Sequence, residues 1–170
     1  DLFAGGKPWS ERKHQIVVLG FKPITRALLP MITKELQQQF PEAGLPIMAF
    51  QSLSQRELSS VLGDSRYYLS LSAIEGFGLP MLEAMASGCA VIGFDAFGGK
   101  EFLVDGQNGW CSSYPDIKKL VASLAFAVAN PDEAQRLAQN AYQTSRRFSK
   151  ANFDSIWSGI LENFLNAGSR

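Results

Sequence analysis

The sequence is short of the residues and runs that mark several classes of protein. It has only two cysteines, Cys89 and Cys111, and a single histidine, His14. Two cysteines are too few for a disulfide framework, and together with His14 they show no metal-ligand spacing, so no zinc site is predicted. No apolar run reaches the length of about 18 residues that a transmembrane helix needs. Cys89 borders an apolar strand and is predicted to be a small buried thiol, while His14 is predicted to be solvent-exposed.

Charge of one sign is not in excess either. Lys and Arg number 16, as do Asp and Glu, which argues against a strongly electrostatic partner such as duplex DNA, and no nucleic-acid motif is present. No basic region followed by an apolar core opens the chain, so no signal peptide is visible. With 46% hydrophobic residues, the chain suffices for one domain with a core, and its cysteine usage indicates a reducing, cytoplasmic compartment.

Apolar runs and helix-compatible stretches alternate along the chain. Strands are predicted at residues 16–19, 45–50, 67–72, 90–94 and 109–112. Helices are predicted at residues 24–40, 54–62 (with Ser54 and Glu57 as a capping box), 116–129 and 131–148. Such alternation predicts an α/β fold with a parallel sheet and helices on both faces. Ligands then bind beyond the carboxyl ends of the strands, where Gly20, the segment around Glu75 and residues 95–100 should gather.

The run EGFGLPMLE carries the strongest functional signal. Glu75 and Glu83 are separated by seven residues that include Gly76, Gly78 and Pro80. The glycines permit a positive φ or a close approach to a ligand, and Pro80 suits the first position of a helix. A helix start offers free N–H groups to a phosphate, whereas carboxylates accept hydrogen bonds from hydroxyl groups. The run therefore predicts a ligand with phosphate in the middle and hydroxyls on either side, which is a nucleotide sugar.

Simpler explanations of the two acids stay open at this point. Glu83 is expected in the first turn of a helix that Gly88 closes, and an acid there stabilises the helix by roughly 0.3–1 kcal/mol without any ligand. Glu75 could be a solvated loop residue. The two acids together with GFGLP between them favour function.

Residues 67–110, with EGFGLP followed by EAMASGCAVIGFDAFGGKEFLVDGQNGW, resemble the donor-binding half of the retaining glycosyltransferases of the GT-B fold, family-four type (glycosyl transferases group 1). The resemblance implies one Rossmann-like half of a GT-B fold and a hexosyl- or deoxyhexosyltransferase of polysaccharide biosynthesis that acts with retention. It implies that Glu75 contacts hydroxyls of the transferred sugar as the catalytic residue, and that Glu83 accepts hydrogen bonds from the ribose. The implied binding residues of the diphosphate and donor loops are Gly76, Phe77, Gly78, Leu79, Gly98 and Gly99.

Charge that builds on a departing diphosphate needs a metal ion or fixed cations. The sequence has no Asp-x-Asp, so neither a metal nor another cofactor is expected, and the cations available after the first strand are Lys22 and Arg26. Phe21 occupies the place where the family has an arginine. For Arg26, a solvated helix residue is an equal alternative.

The resemblance also bears on domain organisation. Residues 1–12 are expected to be the remnant of a linker and residues 13–170 the donor-binding domain, with the N-terminal acceptor domain absent and the isolated domain inactive. A final helix carries an apolar stripe at positions 153–165 that is expected mostly to cover the core, with any bare part open to self-association. The acceptor, whether glycan, lipid or protein, is not indicated. The full-length protein is expected to be cytoplasmic or peripheral to the inner face of a membrane.

Two further functions are compatible with the same fold. A nucleotide-sugar epimerase shares the two-domain architecture, although the EGFGLP run disfavours it. A degenerate, non-catalytic interaction module is favoured by Phe21 and disfavoured by the intact Glu75 and Glu83.

Overall fold

The computed structural model describes residues 2–95 and 97–167, and five parallel strands form a single sheet in the order β2-β1-β3-β4-β5. The described residues leave out Asp1 of the predicted linker, Ala96 of the predicted donor loop, and residues 168–170 of the predicted domain. The strands are Lys13–Leu19 (β1), Ile47–Phe50 (β2), Ser65–Ser70 (β3), Ala90–Phe94 (β4) and Trp110–Ser112 (β5). The helices are Pro23–Gln39 (α1), Gln55–Gly63 (α2), Leu79–Ala86 (α3), Ile117–Ala129 (α4), Pro131–Arg146 (α5) and Lys150–Ala167 (α6).

Helices cover both faces of the sheet, as predicted. Ile16 and Val18 of β1 point to a core that α1 and α4 complete, whereas Val17 between them joins a second core with α2 and α3. This alternation follows from the two-residue period of a strand. Because both faces of the central strands are buried, their inner residues form short continuous apolar runs, such as IVVL in β1 and AVIGF in β4. The sequence prediction of an α/β, Rossmann-like sheet is confirmed.

The predicted elements are all present, with ends shifted by at most a few residues. The capping box at α2 is confirmed, since the Ser54 hydroxyl accepts from the Glu57 N–H at 3.3 Å and the Glu57 carboxylate accepts from the Ser54 N–H at 2.8 Å. Strand β1 begins earlier than its apolar run because Lys13 pairs with Ser65 of β3. Such polar strand ends carry no periodic apolar signal.

The segment predicted as a linker packs against the domain over its described residues. The Gly5 N–H donates to the Ala86 carbonyl at 2.9 Å, and the Lys7 N–H donates to the Gly63 carbonyl at 3.0 Å. A short 3-10 helix, Trp9–Glu11, leads into β1. The sequence predicted a linker remnant without periodic structure, and these backbone bonds hold it on α2 and α3. Its origin as a linker stays a prediction.

Helix α6 differs most from expectation. The sequence predicted that its apolar stripe mostly covers the core, yet the whole stripe is exposed, with Trp157 47% and Phe164 76% accessible. The other members are Phe153, Ile156, Ile160, Leu161 and Leu165. An apolar stripe shows that a helix needs a partner, but not which partner. Within residues 2–95 and 97–167, no helix is long and apolar enough to cross a membrane.

The two residues predicted as structural or solvated are placed accordingly. Cys89 is fully buried, its thiol donates to the Leu62 carbonyl at 3.2 Å, and burial raises the pKa of this thiol to about 12. His14 is exposed, with its ring edge-on to Tyr67. Neither residue lies among the candidate site residues below.

Candidate functional site

Three loops meet at the carboxyl ends of β1, β3 and β4, the edge at which ligands bind in open α/β sheets. The first follows β1 through Gly20. The second covers residues 71–78 after β3 and is called here the glutamate loop. The third is a short 3-10 helix after β4, Phe97–Gly99, called here the glycine loop. The prediction that these segments gather at one edge is confirmed by the contacts that follow.

An ion pair joins the first loop to the glutamate loop. Lys22 Nζ lies 2.5 Å from Glu75 Oε1 and donates a hydrogen bond to Ser72 Oγ at 3.0 Å. The Ser72 hydroxyl in turn donates to the Ile74 carbonyl at 3.2 Å. Lys22 Nζ also lies 5.8 Å from the centre of the Phe21 ring. The best of the predicted cations and the predicted catalytic carboxylate are therefore held against each other, with Ser72 fixing the ammonium group.

Gly78 shapes the junction between the glutamate loop and α3. Its φ is +88°, in the left-handed region that disfavours any side chain, and an added Cβ would lie 3.1 Å from the Phe102 ring. The helix begins with Leu79, so Pro80 is its second residue. The sequence analysis had predicted Pro80 as its first residue. The missing N–H of proline costs nothing at either position, since the first turn has no intrahelical acceptors.

The backbone N–H groups before and at the start of α3 are unpaired. The Gly78 carbonyl accepts from the N–H groups of Met81 and Leu82, which closes the first turn. Four successive N–H groups ahead of that turn donate to no atom of the described residues, those of Gly76, Phe77, Gly78 and Leu79. Together with the helix macrodipole, such a run of free donors favours an anion.

The glycine loop lies directly on the glutamate loop. An added Cβ at Gly98 would lie 2.7 Å from both the Glu75 carbonyl oxygen and the Phe77 backbone nitrogen. An added Cβ at Gly99 would meet the Met81 side chain at 3.4 Å. The absence of a side chain at Gly98 is thus required for the two backbones to approach. Residues 98 and 99 thus meet the segment around Glu75 as predicted, and contact of Gly98 and Gly99 with a donor stays a prediction.

Glu83 opens onto a neighbouring cavity of about 490 Å³, which Phe77 and Leu79 also line. The prediction that Glu83 stands in the first turn of its helix is wrong, because α3 begins at Leu79 and Glu83 is the fifth residue. The macrodipole effect falls off within the first turn, so it no longer accounts for this acid. Burial raises the pKa of the Glu83 carboxyl, which pairs with no hydrogen-bond donor or cation in the described part of the chain.

Arg26 is not brought to this site. It lies exposed on α1, one turn after Lys22, and forms no side-chain hydrogen bond or ion pair with any residue that the structure describes. Phe21, where the family has an arginine, is 49% exposed. Of the two predicted cations, the geometry therefore brings only Lys22 to the glutamate loop, and a diphosphate-binding role for either residue stays a prediction.

Several residues at the site escaped the sequence analysis. Ser72 holds Lys22, and the sequence analysis had placed it at the end of the predicted strand 67–72. Phe148 follows α5 and packs edge-on against Phe77, with ring centres 5.8 Å apart. Arg146 and Lys150 bring two cations to the Glu83 cavity. No local pattern could place these three residues, because they lie more than sixty positions from the loop that they approach.

Comparison with known proteins settles the family. Residues 32–144 match the family model for glycosyl transferases group 1. The chain belongs to this family. It is 30% identical over 113 residues to the UDP-N-acetylglucosamine--peptide N-acetylglucosaminyltransferase GtfA subunit of Streptococcus gordonii, covering 62% of this chain and 22% of the relative. It is 28% identical over 98 residues to the poly(glycerol-phosphate) alpha-glucosyltransferase of Bacillus subtilis, covering 57% of this chain and 15% of the relative.

A solved structure shows the same fold. The C-terminal domain of a group 1 glycosyl transferase from Francisella tularensis superposes with a TM-score of 0.67 at 23% identity, covering 84% of this chain and 93% of that one. The match confirms the predicted Rossmann-like fold. The chain spans less than a quarter of the length of the curated relatives named above.

Proposed function

We propose that this chain is the donor-binding domain of a glycosyltransferase that moves a sugar from a nucleoside diphosphate sugar to an acceptor. The observation that carries the proposal is the run of four unpaired N–H groups at the start of α3, with the Lys22 ammonium group beside the same loop. A diphosphate supplies the acceptor oxygens and the negative charge that this arrangement lacks.

The carboxylates of Glu75 and Glu83 then bind the hydroxyl groups at the two ends of the donor. Glu75 accepts hydrogen bonds from the transferred sugar, and Ser72 and Lys22 fix its position. Glu83 accepts hydrogen bonds from the ribose hydroxyls, which supply donors to a half-buried carboxylate that otherwise pairs with no described residue. Transfer proceeds with retention, as the family resemblance implies.

Fixed cations take the role of a metal in this proposal. As the glycosidic bond breaks, negative charge moves onto the departing diphosphate, and the Lys22 ammonium and the α3 N–H groups stabilise that charge. Lys22 then divides its hydrogen bonds between Glu75 and the diphosphate, since an ammonium group has three donors. Excess EDTA is expected to leave nucleotide affinity unchanged, and a loss of affinity that Mg²⁺ or Mn²⁺ restores would contradict a metal-free site.

Calorimetric titration with a panel of nucleoside diphosphates tests donor binding. UDP is the first candidate, because the Streptococcus gordonii relative carries UDP in its name. One nucleoside diphosphate is expected to bind more tightly than its nucleoside, with saturation at one site. If no member of the panel binds, the chain is a non-catalytic module of this fold.

The acceptor side of the reaction belongs to the rest of the protein. We infer that α6 packs its exposed apolar stripe on a further domain, since no described part of this chain covers it. The isolated chain is then expected to transfer no sugar, and measurable turnover by residues 1–170 alone would contradict this.

An uncovered apolar stripe also favours self-association of the isolated chain. Sedimentation velocity is expected to show a concentration-dependent dimer that Trp157→Glu abolishes, whereas Ser158→Glu, on the neighbouring exposed position, leaves it intact. If the chain stays monomeric at all concentrations, the expectation that it self-associates through α6 is wrong.

A further inference from the structure

A buried arginine lies at the opposite edge of the sheet from the site described above. Arg12 directly precedes β1 and is only 8% exposed. Its Nε donates to the Lys7 carbonyl at 2.8 Å, and its Nη1 donates to the Ser65 carbonyl at 3.3 Å. Its Nη2 donates to no atom of the residues that the structure describes. Nη2 is therefore the end of the guanidinium group that faces the open space beside it.

The charge of Arg12 is not matched by a carboxylate. Asp64, the acid whose charge acts on Arg12, is already held by Lys7 at 2.5 Å and by Lys13 at 2.7 Å. Across residues 2–95 and 97–167, no carboxylate lies within ion-pair distance of Arg12. Partial burial removes part of the hydration of the guanidinium group, which costs free energy that an anion at its open end would recover. An arginine always carries its charge, so it cannot escape this cost by deprotonation.

A cavity of about 280 Å³ opens at this guanidinium group. Two glycines make room for Nη2, since an added Cβ would lie 2.7 Å from it at Gly6 and 2.8 Å from it at Gly88. Each of these positions therefore has to lack a side chain for Arg12 to lie where it does.

The opposite wall of the cavity is polar and uncharged. Helix α5 contributes three glutamines at intervals of four residues, Gln135, Gln139 and Gln143, which form one row along the helix. Tyr142 and Trp9 complete the lining. Among the residues that the structure describes, none that lines the cavity is acidic. Amide groups beside one guanidinium group suit an anion that carries further polar groups.

We propose that this cavity binds the carboxylate or phosphate group of a small organic anion, with Arg12 contacting the charge and the row of glutamines contacting the polar remainder. The site differs from the start of α3, because it lies at the amino ends of the strands, although Tyr142 lines both this cavity and the Glu83 cavity. Its occupancy supplies the counter-charge that Arg12 lacks.

The test uses the 170-residue chain with two probes, inorganic phosphate and acetate, and follows the Trp9 indole N–H by NMR. At least one probe is expected to shift this signal saturably, and the tighter of the two identifies the phosphate or the carboxylate as the preferred group. Gln139→Glu places a negative charge on the rim and is expected to weaken binding at least tenfold, whereas Gln139→Lys strengthens it several-fold. Gln38→Glu, the same change on an exposed position of α1, leaves binding unaltered.

Phosphate could also bind at the start of α3, so Lys22→Ala serves as the second control and is expected not to change the response of Trp9. Two results would overturn the proposal. One is the absence of a saturable response to either probe at millimolar concentrations in the folded wild type. The other is a response that persists unchanged in Gln139→Glu or that disappears in Lys22→Ala.

Discussion

Lys22 Nζ and Glu75 Oε1 lie 2.5 Å apart, which joins the loop after β1 to the loop after β3. The pair brings a cation for a leaving diphosphate and a carboxylate for a sugar to the same point, next to the free N–H groups of α3. Because both side chains are largely buried, the cost of removing their charges from water offsets much of their mutual attraction, so the pair is not a major source of stability. Its importance therefore lies in positioning, and substitutions there should alter binding more than folding.

Lys22→Ala is expected to weaken nucleoside diphosphate binding by roughly ten- to a hundredfold, because a charge-assisted hydrogen bond contributes about 1.5–3 kcal/mol. Binding of the nucleoside alone should barely change, and the loss should shrink at high salt. Calorimetry on both ligands at two salt concentrations measures this. Lys34→Ala, at an exposed position of α1, is the matched control. Equal losses of affinity for the nucleoside and the nucleoside diphosphate would show that Lys22 does not contact the diphosphate.

Glu83→Gln tests the ribose contact. The change keeps the shape of the side chain and removes its charge, so affinity for the nucleotide should fall roughly ten- to a hundredfold. A 2′,3′-dideoxy nucleotide lacks the hydroxyls and should lose far less, while Glu42→Gln, at an exposed position, should affect neither ligand. A parallel loss of affinity for the two nucleotides would show that Glu83 does not contact the ribose.

The pH dependence of stability gives an independent view of Glu83. Burial raises the pKa of this carboxyl above its value in the unfolded chain, so the folded state binds more protons there. Its contribution is therefore most favourable at a pH below the unfolded pKa and is lost as the pH rises through the folded pKa. Glu83→Gln avoids this loss. The unfolding free energy of the variant, measured with urea, should therefore rise relative to that of wild type as the pH increases from acidic to neutral. A difference in unfolding free energy that is independent of pH would contradict a desolvated carboxylate.

Gly98→Ala is expected to disturb the glutamate loop. Its Cβ would lie 2.7 Å from two backbone atoms that cannot rotate away, so we expect a cost of about 1–3 kcal/mol in unfolding free energy and a loss of nucleotide affinity. Gly76→Ala is the matched control for stability, because an added Cβ there meets no atom within 4 Å. If both variants are equally stable, the close approach of the two loops does not constrain the fold.

The sequence predicted the sheet, its helices and the main site loop because those features depend on local periodicity and turn residues. The Gly-rich loop before α3 and the cap at Ser54 are signals of this kind. The sequence could not predict the pairing of Lys22 with Glu75, since these residues are separated by 53 positions and meet only through the strand order. The sequence could not predict the exposure of α6 either, because an apolar stripe has the same pattern whether its partner is the core or another domain.

The central claim is that the start of α3 holds the donor diphosphate, and amide chemical-shift mapping tests it most directly. Titrating ¹⁵N-labelled chain with UDP should move the N–H signals of Gly76, Phe77, Gly78 and Leu79 more than any others, and uridine should move them far less. UDP binding that leaves these four signals in place, with the largest shifts elsewhere on the domain, would contradict the account.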